Sequence, residues 1–353
     1  MARHDAVAAC LPDDVDALLV TRPENVRYLS GFTGSNGALL LQRDTAPVLA
    51  TDARYVLQAA HEAPGLEVLE ASRVGPALLE RAAVDGVGRL GFEAHQVTVE
   101  SLGQLEAVAA GRFELVAAGK PVEEQRAVKD PDEVEALRRA CGATDRAFET
   151  VLGRLAAGIT EREAEWELIN AMREAGAEGP SFPSIVAFGP DAAIPHHRPS
   201  HRTLAPGDLV KLDFGALIDG YHADMTRTIV FGRPAGWQRE LHDEVKAIQA
   251  ELASLVAPGV VPADLDAEMR TRIAASGHEV AHGLGHGVGL EIHEDPFLTE
   301  RSPASPLVPG MVVTIEPGIY LAGRGGVRIE DCVLVTEVGG ESLTTSPREL
   351  IEL

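Results

Sequence analysis

Over the N-terminal third of the chain, short apolar runs recur, each bounded by polar or turn-forming positions. "DALLV" (16–20), "GALLLQ" (37–42), "APVLAT" (46–51), "LEVLEA" (66–71), "RLGFEA" (89–94) and "FELVAA" (113–118) read as β-strands. Between them, "ARYVLQAAHEA" and "VESLGQLEAVAA" have helical composition. This alternation predicts a compact α/β domain over residues 1–122.

The pattern changes between residues 119 and 130. "DPDEVEALRRACGATDRAFETVLGRL" opens with Asp130 as N-cap, Pro131 at the first helical position and Glu133 completing a capping box. Val134, Leu137, Cys141, Thr144, Phe148 and Leu152 then keep helical spacing. A second helix is predicted after Thr160, with Glu163 closing its box and Trp166, Ile169 and Met172 on one face. A third, "ADLDAEMRTRIAAS", stops at Gly277. Strand patterns dominate the remainder: "PSIVAFG", "DLVKLDFGAL", "YHADMTRTIVFG", "GMVVTIEPGIY" and "VRIEDCVLVTE". Residues 123–353 therefore read as a second, α+β domain with an antiparallel sheet. No fixed-period repeat or low-complexity segment interrupts either domain.

Composition narrows the possible functions. A length of 353 residues suits two cores better than one. Thirty-one Lys and Arg against 54 Asp and Glu leave a net charge of −23, which repels phosphate backbones and argues against nucleic-acid binding. No stretch approaches the ~18 uninterrupted apolar residues of a membrane span. Asp5, Asp13, Asp14 and Asp16 interrupt any apolar leader, and Cys10, Cys141 and Cys332 are too scattered for a disulfide framework. A cytoplasmic location is the expectation.

The densest chemistry lies in "HEVAHGLGHGVGLEIHE" (278–294). Its first five residues spell H-E-x-x-H, which in a zinc protease needs His278 and His282 one turn apart on a helix with Glu279 as base. Gly277 ends the preceding helix, and Gly283, Gly285, Gly287 and Gly289 oppose another. These glycines weigh against the zinc-helix reading, which stays as a rival in which Glu279 is essential and Asp213 dispensable. A dinucleotide loop fails, because Val288 and Leu290 occupy the positions a third glycine would need.

A second signal is "LVKLDFGALIDGYHADMTRTIVFG". Asp219-Gly220 between alternating runs predicts a two-residue hairpin loop. Residue 218 then faces 221, Asp213 opposes Thr226, and Asp224 opposes Gly215. That register puts Asp213 and Asp224 on one face as diagonal neighbours, roughly 7–8 Å apart. In "VVTIEPG", Pro317 holds Glu316 extended. In "GVRIEDCVLV", period two separates Arg328, Glu330 and Cys332 from Val327, Ile329, Asp331 and Val333. Four converging carboxylates repel one another by several kcal/mol (an order-of-magnitude figure) unless cations neutralise them. Two divalent ions would match them in charge.

The order Asp213, Asp224, His286, Glu316, Glu330 resembles the dimetal site of the pita-bread metallopeptidases, which include methionine aminopeptidase, aminopeptidase P and prolidase. "DFGALIDGYHADMTRT", "HGLGHGVGLEIHE", "IEPGIY" and "RIED" carry the resemblance, which extends over nearly the whole chain. "YLSGFTGSNGALLL" and "TDARYVLQA" resemble the creatinase-type domain that precedes the catalytic domain in Xaa-Pro peptidases.

The resemblance implies a pita-bread fold for residues 123–353 and five metal ligands: Asp213, Asp224, His286, Glu316 and Glu330. It implies that Glu316 also moves a proton, that His293 stabilises the tetrahedral intermediate, and that His282, His293 and His196 face the substrate. His196 comes from "IPHHRPS", in which His197 is left as a surface position. Arg328 supports the ligands, and His278 and Glu279 are structural. The implied reaction is metal-dependent hydrolysis of Xaa-Pro peptide bonds by a homodimer. Carboxylate-rich ligation favours Mn2+, with Co2+, Fe2+ or Zn2+ as alternatives. A methionine aminopeptidase, a creatinase-like amidinohydrolase and a non-catalytic binding protein on the same fold are the rival readings.

Overall fold

The computed structural model describes residues 3–43 and 45–353. It divides into two compact units, Met1–Arg126 and Ala127–Leu353.

The first unit is built on a six-stranded sheet. Its strands are β1 (Ala17–Val20), β2 (Gly37–Gln42), β3 (Thr45–Thr51), β4 (Glu67–Glu70), β5 (Arg89–Phe92) and β6 (Glu114–Ala117), in the order β4-β3-β2-β1-β5-β6. Each apolar run read from the sequence becomes one of these strands. β1 pairs antiparallel with β2 and parallel with β5, so the sheet is mixed. Leu78, Leu79 and Ala82 of the helix Val74–Val84 pack into its core with Leu19, Leu40, Ala50 and Leu90. The helix Val99–Ala109 begins where expected, the Thr98 hydroxyl accepting from Ser101 N at 3.1 Å.

In the second unit, the helix Pro131–Leu152 starts with the predicted capping box. Asp130 Oδ1 accepts from Glu133 N and Glu133 Oε2 accepts from Asp130 N, both at 3.0 Å. Thr160 and Glu163 form the same reciprocal pair at the start of Glu161–Glu174. The helix Pro262–Ala275 runs out just before Gly277, whose φ of 83° no β-carbon-bearing residue adopts easily.

The strand-dominated reading of the remainder needs one correction: Gly236–Leu255 is a 20-residue helix. It buries Leu241, Val245, Ile248 and Leu252, a clear 3.6-period stripe. Its start carries no Ser, Thr, Asp or Asn cap; the Gln238 side chain caps it instead, accepting from Ala235 N at 2.7 Å.

Thirteen strands follow in this unit: β7 (Gly179–Pro180), β8 (Ile185–Phe188), β9 (Leu209–Phe214), β10 (Ala216–Ile218), β11 (Tyr221–His222), β12 (Met225–Val230), β13 (Gly285–Gly287), β14 (Glu294–Leu298), β15 (Val312–Ile315), β16 (Gly318–Leu321), β17 (Gly325–Arg328), β18 (Asp331–Thr336) and β19 (Gly339–Ser342). They form antiparallel sheets ordered β12-β9-β8, β14-β13-β15-β18-β19, β11-β10-β7 and β16-β17.

Strand alternation sets the direction of the functional face. On β9, Val210, Leu212 and Phe214 pack against Ala143, Ala147, Phe148 and Val151 of the helix Pro131–Leu152. Lys211 and Asp213 therefore point to the opposite side of the sheet. Among the described residues, no helix is long and apolar enough to cross a membrane.

Candidate active site

The hairpin forms in the register the sequence suggests. Ile218 pairs with Tyr221, Leu217 with His222 and Asp213 with Thr226. Asp219 (φ 49°) and Gly220 (φ 70°) make the loop, as a two-residue hairpin turn requires. The Ala223 carbonyl lies against Gly215 where a β-carbon would stand, so only glycine fits opposite Asp224. Asp213 and Asp224 both end in one cavity of about 460 Å3.

The glycine-rich segment delivers the third group. His286 sits on β13, and its Nδ1 faces the Gly287 carbonyl at 3.1 Å. An acceptor there fixes the proton on Nδ1 and leaves Nε2 as a lone pair. That lone pair lies 3.5 Å from Asp224 Oδ2 and 3.5 Å from Glu316 Oε1. Glycine at 285 follows from crowding, because a β-carbon would collide with the Thr314 carbonyl of β15. Thr314 links the two strands functionally: its hydroxyl accepts from His286 N at 3.0 Å and reaches Glu316 Oε1 at 3.4 Å.

Glu330 enters between β17 and β18. The Thr226 hydroxyl donates to its Oε2 at 2.6 Å, and its backbone N–H donates to Thr226 O at 3.1 Å. Asp331 points to the other side, as its period-two position requires, and is fully buried with Arg227, Thr344, Gln249 and Arg348 as donors. Arg227 Nη1 also donates to the Glu330 carbonyl, so this network fixes the backbone that carries Glu330.

All nine residues singled out in the sequence line the same cavity: His196, Asp213, Asp224, His282, His286, His293, Glu316, Arg328 and Glu330. His278 and Glu279 do not; His278 Nε2 lies 3.8 Å from Glu244 instead. His197 needs correction. It is not a free surface residue, since its side chain is 10% exposed and bonds Glu161 Oε2 at 2.8 Å.

The electrostatics of the cluster are unfavourable to its own charges. Burial, and then the charges of Glu330, Asp213 and Glu316, push the Asp224 carboxyl well above its usual range. Burial raises Glu316 to about 8, with Arg328 opposing and Asp213 adding to the shift. Glu330 rises for the same reasons, burial first and then Glu316 and Asp213. Burial and the neighbouring His293 lower His286 to about 3, so the ring is neutral at ordinary pH. Asp224 Oδ1 is buried without a hydrogen-bond partner. Ligand atoms of Asp224, His286 and Glu330 lie within 4.8 Å of one another. Converging lone pairs, an orphaned buried oxygen and an oxygen-rich donor set fit divalent cations.

Sequence reasoning placed Arg328 behind the ligands but missed Tyr320 and Lys211, which hold the cluster with it. Arg328 pairs with Asp213, donates from Nε to Thr226 Oγ1 at 3.0 Å and from Nη1 to Tyr320 Oη at 2.8 Å. Tyr320 Oη in turn lies 2.9 Å from His282 Nε2, while His282 Nδ1 faces the Gly283 carbonyl at 2.8 Å. Tyr320 and the Gly283 carbonyl therefore occupy both nitrogens of His282. Gly318 pairs with Arg328 across β16 and β17, and the absence of a side chain there lets the Tyr320 hydroxyl pass. Lys211, fully buried one alternation from Asp213, donates to Ile194 O at 2.6 Å and lies 5.1 Å from the Tyr320 ring centroid. The "IEPGIY" motif contained Tyr320, but only the pairing of β16 with β17 shows what it touches.

The sequence model of metallopeptidase family M24 matches residues 135–337, more than half of the chain. The chain belongs to metallopeptidase family M24. The M24 segment holds all nine cavity residues named above. The Creatinase/Prolidase N-terminal domain matches residues 6–128 in front of it. Among M24 relatives, the uncharacterized peptidase YqhT of Bacillus subtilis is 41% identical over 96% of each chain. Two solved structures are similar over nearly their full length. The Xaa-Pro dipeptidase from Bacillus anthracis has a TM-score of 0.95 at 36% identity, covering 99% of both chains. The X-Pro aminopeptidase from Thermotoga maritima has a TM-score of 0.89 at 34% identity, covering 96% of both.

Proposed function

We propose that this chain hydrolyses Xaa-Pro peptide bonds with two divalent metal ions held by Asp213, Asp224, His286, Glu316 and Glu330. The observation that carries the reading is the meeting of a neutral imidazole lone pair with buried carboxyl oxygens at 3.5 Å, an arrangement that bound cations make favourable. The similar Xaa-Pro dipeptidase of Bacillus anthracis and X-Pro aminopeptidase of Thermotoga maritima support the substrate class.

Two bound divalent ions supply a water nucleophile at neutral pH and polarise the scissile carbonyl. Glu316 would take the proton released by the nucleophile and pass it to the proline nitrogen. His293, packed edge-on against His286 with ring centroids 4.3 Å apart, stabilises the oxyanion. His196 positions the substrate. His282 presents its ring to the cavity while Tyr320 and the Gly283 carbonyl fix its orientation. Arg328 keeps Asp213 in place.

Proline needs such a site because its imide nitrogen has no hydrogen and its ring fixes φ, so recognition rests on shape. Phe182, Pro183, Ile292 and Phe297 give the cavity an apolar wall for it. Manganese is the metal of this proposal, supported by the carboxylate-rich ligand set. A homodimer and a cytoplasmic location belong to the same proposal; the second is supported by three free cysteines.

The test is a comparison of Ala-Pro, Ala-Pro-Ala and Met-Ala-Ser hydrolysis after metal reconstitution. Turnover of either proline peptide supports the reading, and the ratio between them ranks dipeptidase against aminopeptidase activity. Cleavage of Met-Ala-Ser alone would replace it with methionine aminopeptidase activity.

A further inference from the structure

Two adjacent histidines in "IPHHRPS" end in different surroundings. Both line the cavity, but His196 is exposed whereas His197 is half-buried with its Nε2 turned onto Glu161. Glu161 is the first residue of the helix Glu161–Glu174 and is fully buried. Its Oε1 accepts from Phe188 N at 2.8 Å. Its Oε2 accepts from His197 Nε2 and Ser200 N, both at 2.8 Å, and from Ser200 Oγ at 2.7 Å.

Glu161, Asp191 and His197 have ligand atoms within 4.8 Å of one another, which raises the question of a further metal site. Four donors already meet the Glu161 carboxylate, three of them on one oxygen. A cation there would have to displace hydrogen bonds that hold the loop, so the trio is a poor metal site and a good clamp.

A second clamp lies on the other side of His196. Lys211 Nζ donates to Ile194 O at 2.6 Å and Pro195 O at 3.3 Å, and Arg328 Nη1 donates to Pro195 O at 3.3 Å. A buried amine and a buried guanidinium thus grip the chain just before His196, and a buried carboxyl grips it just after.

We propose that Glu161 and His197 are positioning residues that set His196 against the substrate. This rests on the peptidase reading above, in which His196 touches the substrate. An exposed imidazole on an unrestrained loop samples many placements, and a displacement of ~1 Å in a substrate-orienting group can lower turnover on the order of 100-fold. The clamp removes that freedom by committing His197 Nε2 and the Ser200 backbone to the buried Glu161 carboxyl.

The experiment is a double-mutant cycle on His196 and His197, read as kcat/KM for Ala-Pro, with metal content and melting temperature measured for every variant. His197→Leu should lower kcat/KM roughly 10- to 100-fold. His197→Gln, whose amide N–H can replace Nε2 as donor to Glu161, should restore most of it. The double variant His196→Ala/His197→Leu should be no worse than His196→Ala alone, because His197 acts only through His196. Metal content should match wild type throughout.

Wild-type activity in His197→Leu would overturn the proposal, as would losses that multiply in the double variant. So would loss of a metal equivalent in His197→Leu, which would make the trio a metal site. A fully active His196→Ala enzyme would remove the role of His196 and this proposal with it. Xaa-Pro turnover in that same variant would leave the peptidase reading standing, so the two failures are distinct.

Discussion

His286 and Asp224 face each other across 3.5 Å, Nε2 to Oδ2, with the imidazole proton committed to the Gly287 carbonyl on the far side of the ring. Two lone pairs at that separation repel, and a shared cation turns the repulsion into coordination. Metal should therefore stabilise the fold. Mn2+ at about 100 times its Kd adds roughly 2.7 kcal/mol for one site, a rise in Tm on the order of 5 °C. Asp224→Asn should lose most of this rise and at least one bound equivalent. Calorimetry with and without a chelator reads the first, and elemental analysis the second.

Glu316→Gln keeps the shape of the side chain and removes its capacity to carry a proton. Turnover of Ala-Pro should fall by about 10²- to 10⁴-fold, the usual span for losing a positioned acid–base group. Metal content should largely persist. Single-turnover kinetics together with metal analysis check it, and near wild-type turnover would refute the role.

Tyr320→Phe breaks the path from Arg328 to His282 at its centre. It leaves a buried Arg328 N–H without its acceptor, a loss of about 1–3 kcal/mol in stability. It also frees the His282 ring to rotate, so kcat/KM should fall about ten-fold while metal content holds. Thermal denaturation and steady-state kinetics measure the two effects. An unchanged kcat/KM would separate Tyr320 from substrate positioning.

His242 gives a pH signature in stability rather than in turnover. It is buried on the helix Gly236–Leu255, and burial lowers its pKa to about 4. The unfolded chain takes up the proton near pH 6.5, whereas the folded chain resists until about pH 4. The unfolded state binds more protons in that window, so stability falls as pH drops through it, by up to about 1.4 kcal/mol per pH unit. His242→Gln should lack this component. Urea melts of metal-free wild type and variant between pH 7.5 and 5 should show the two curves converging as pH falls.

Local signals carried much of the fold. The hairpin register was legible because Asp219-Gly220 dictates a turn type and period two does the rest. The same register sets Asp213 opposite Thr226. The capping boxes at Asp130 and Thr160 were legible for the same reason. The helix Gly236–Leu255 was passed over because its N-terminus lacks the usual cap residue, although its apolar stripe is plain in hindsight. His197 was misread because its partner, Glu161, is 36 residues away and joined to it only by tertiary folding. Tyr320 and Lys211 escaped notice for a similar reason: neither residue type implies a ligand, and their value comes from what lies across the strand. The ligand set itself emerged through resemblance, since no spacing rule brings Glu316 and Glu330 to His286.

The central claim is that five side chains hold two ions whose presence makes Xaa-Pro hydrolysis possible. Titrating metal-free protein with Mn2+ while following Ala-Pro hydrolysis tests it most directly. Activity should rise from zero and reach its plateau at two equivalents per chain. Full hydrolysis by the metal-free protein, or none at saturating Mn2+, would contradict the account.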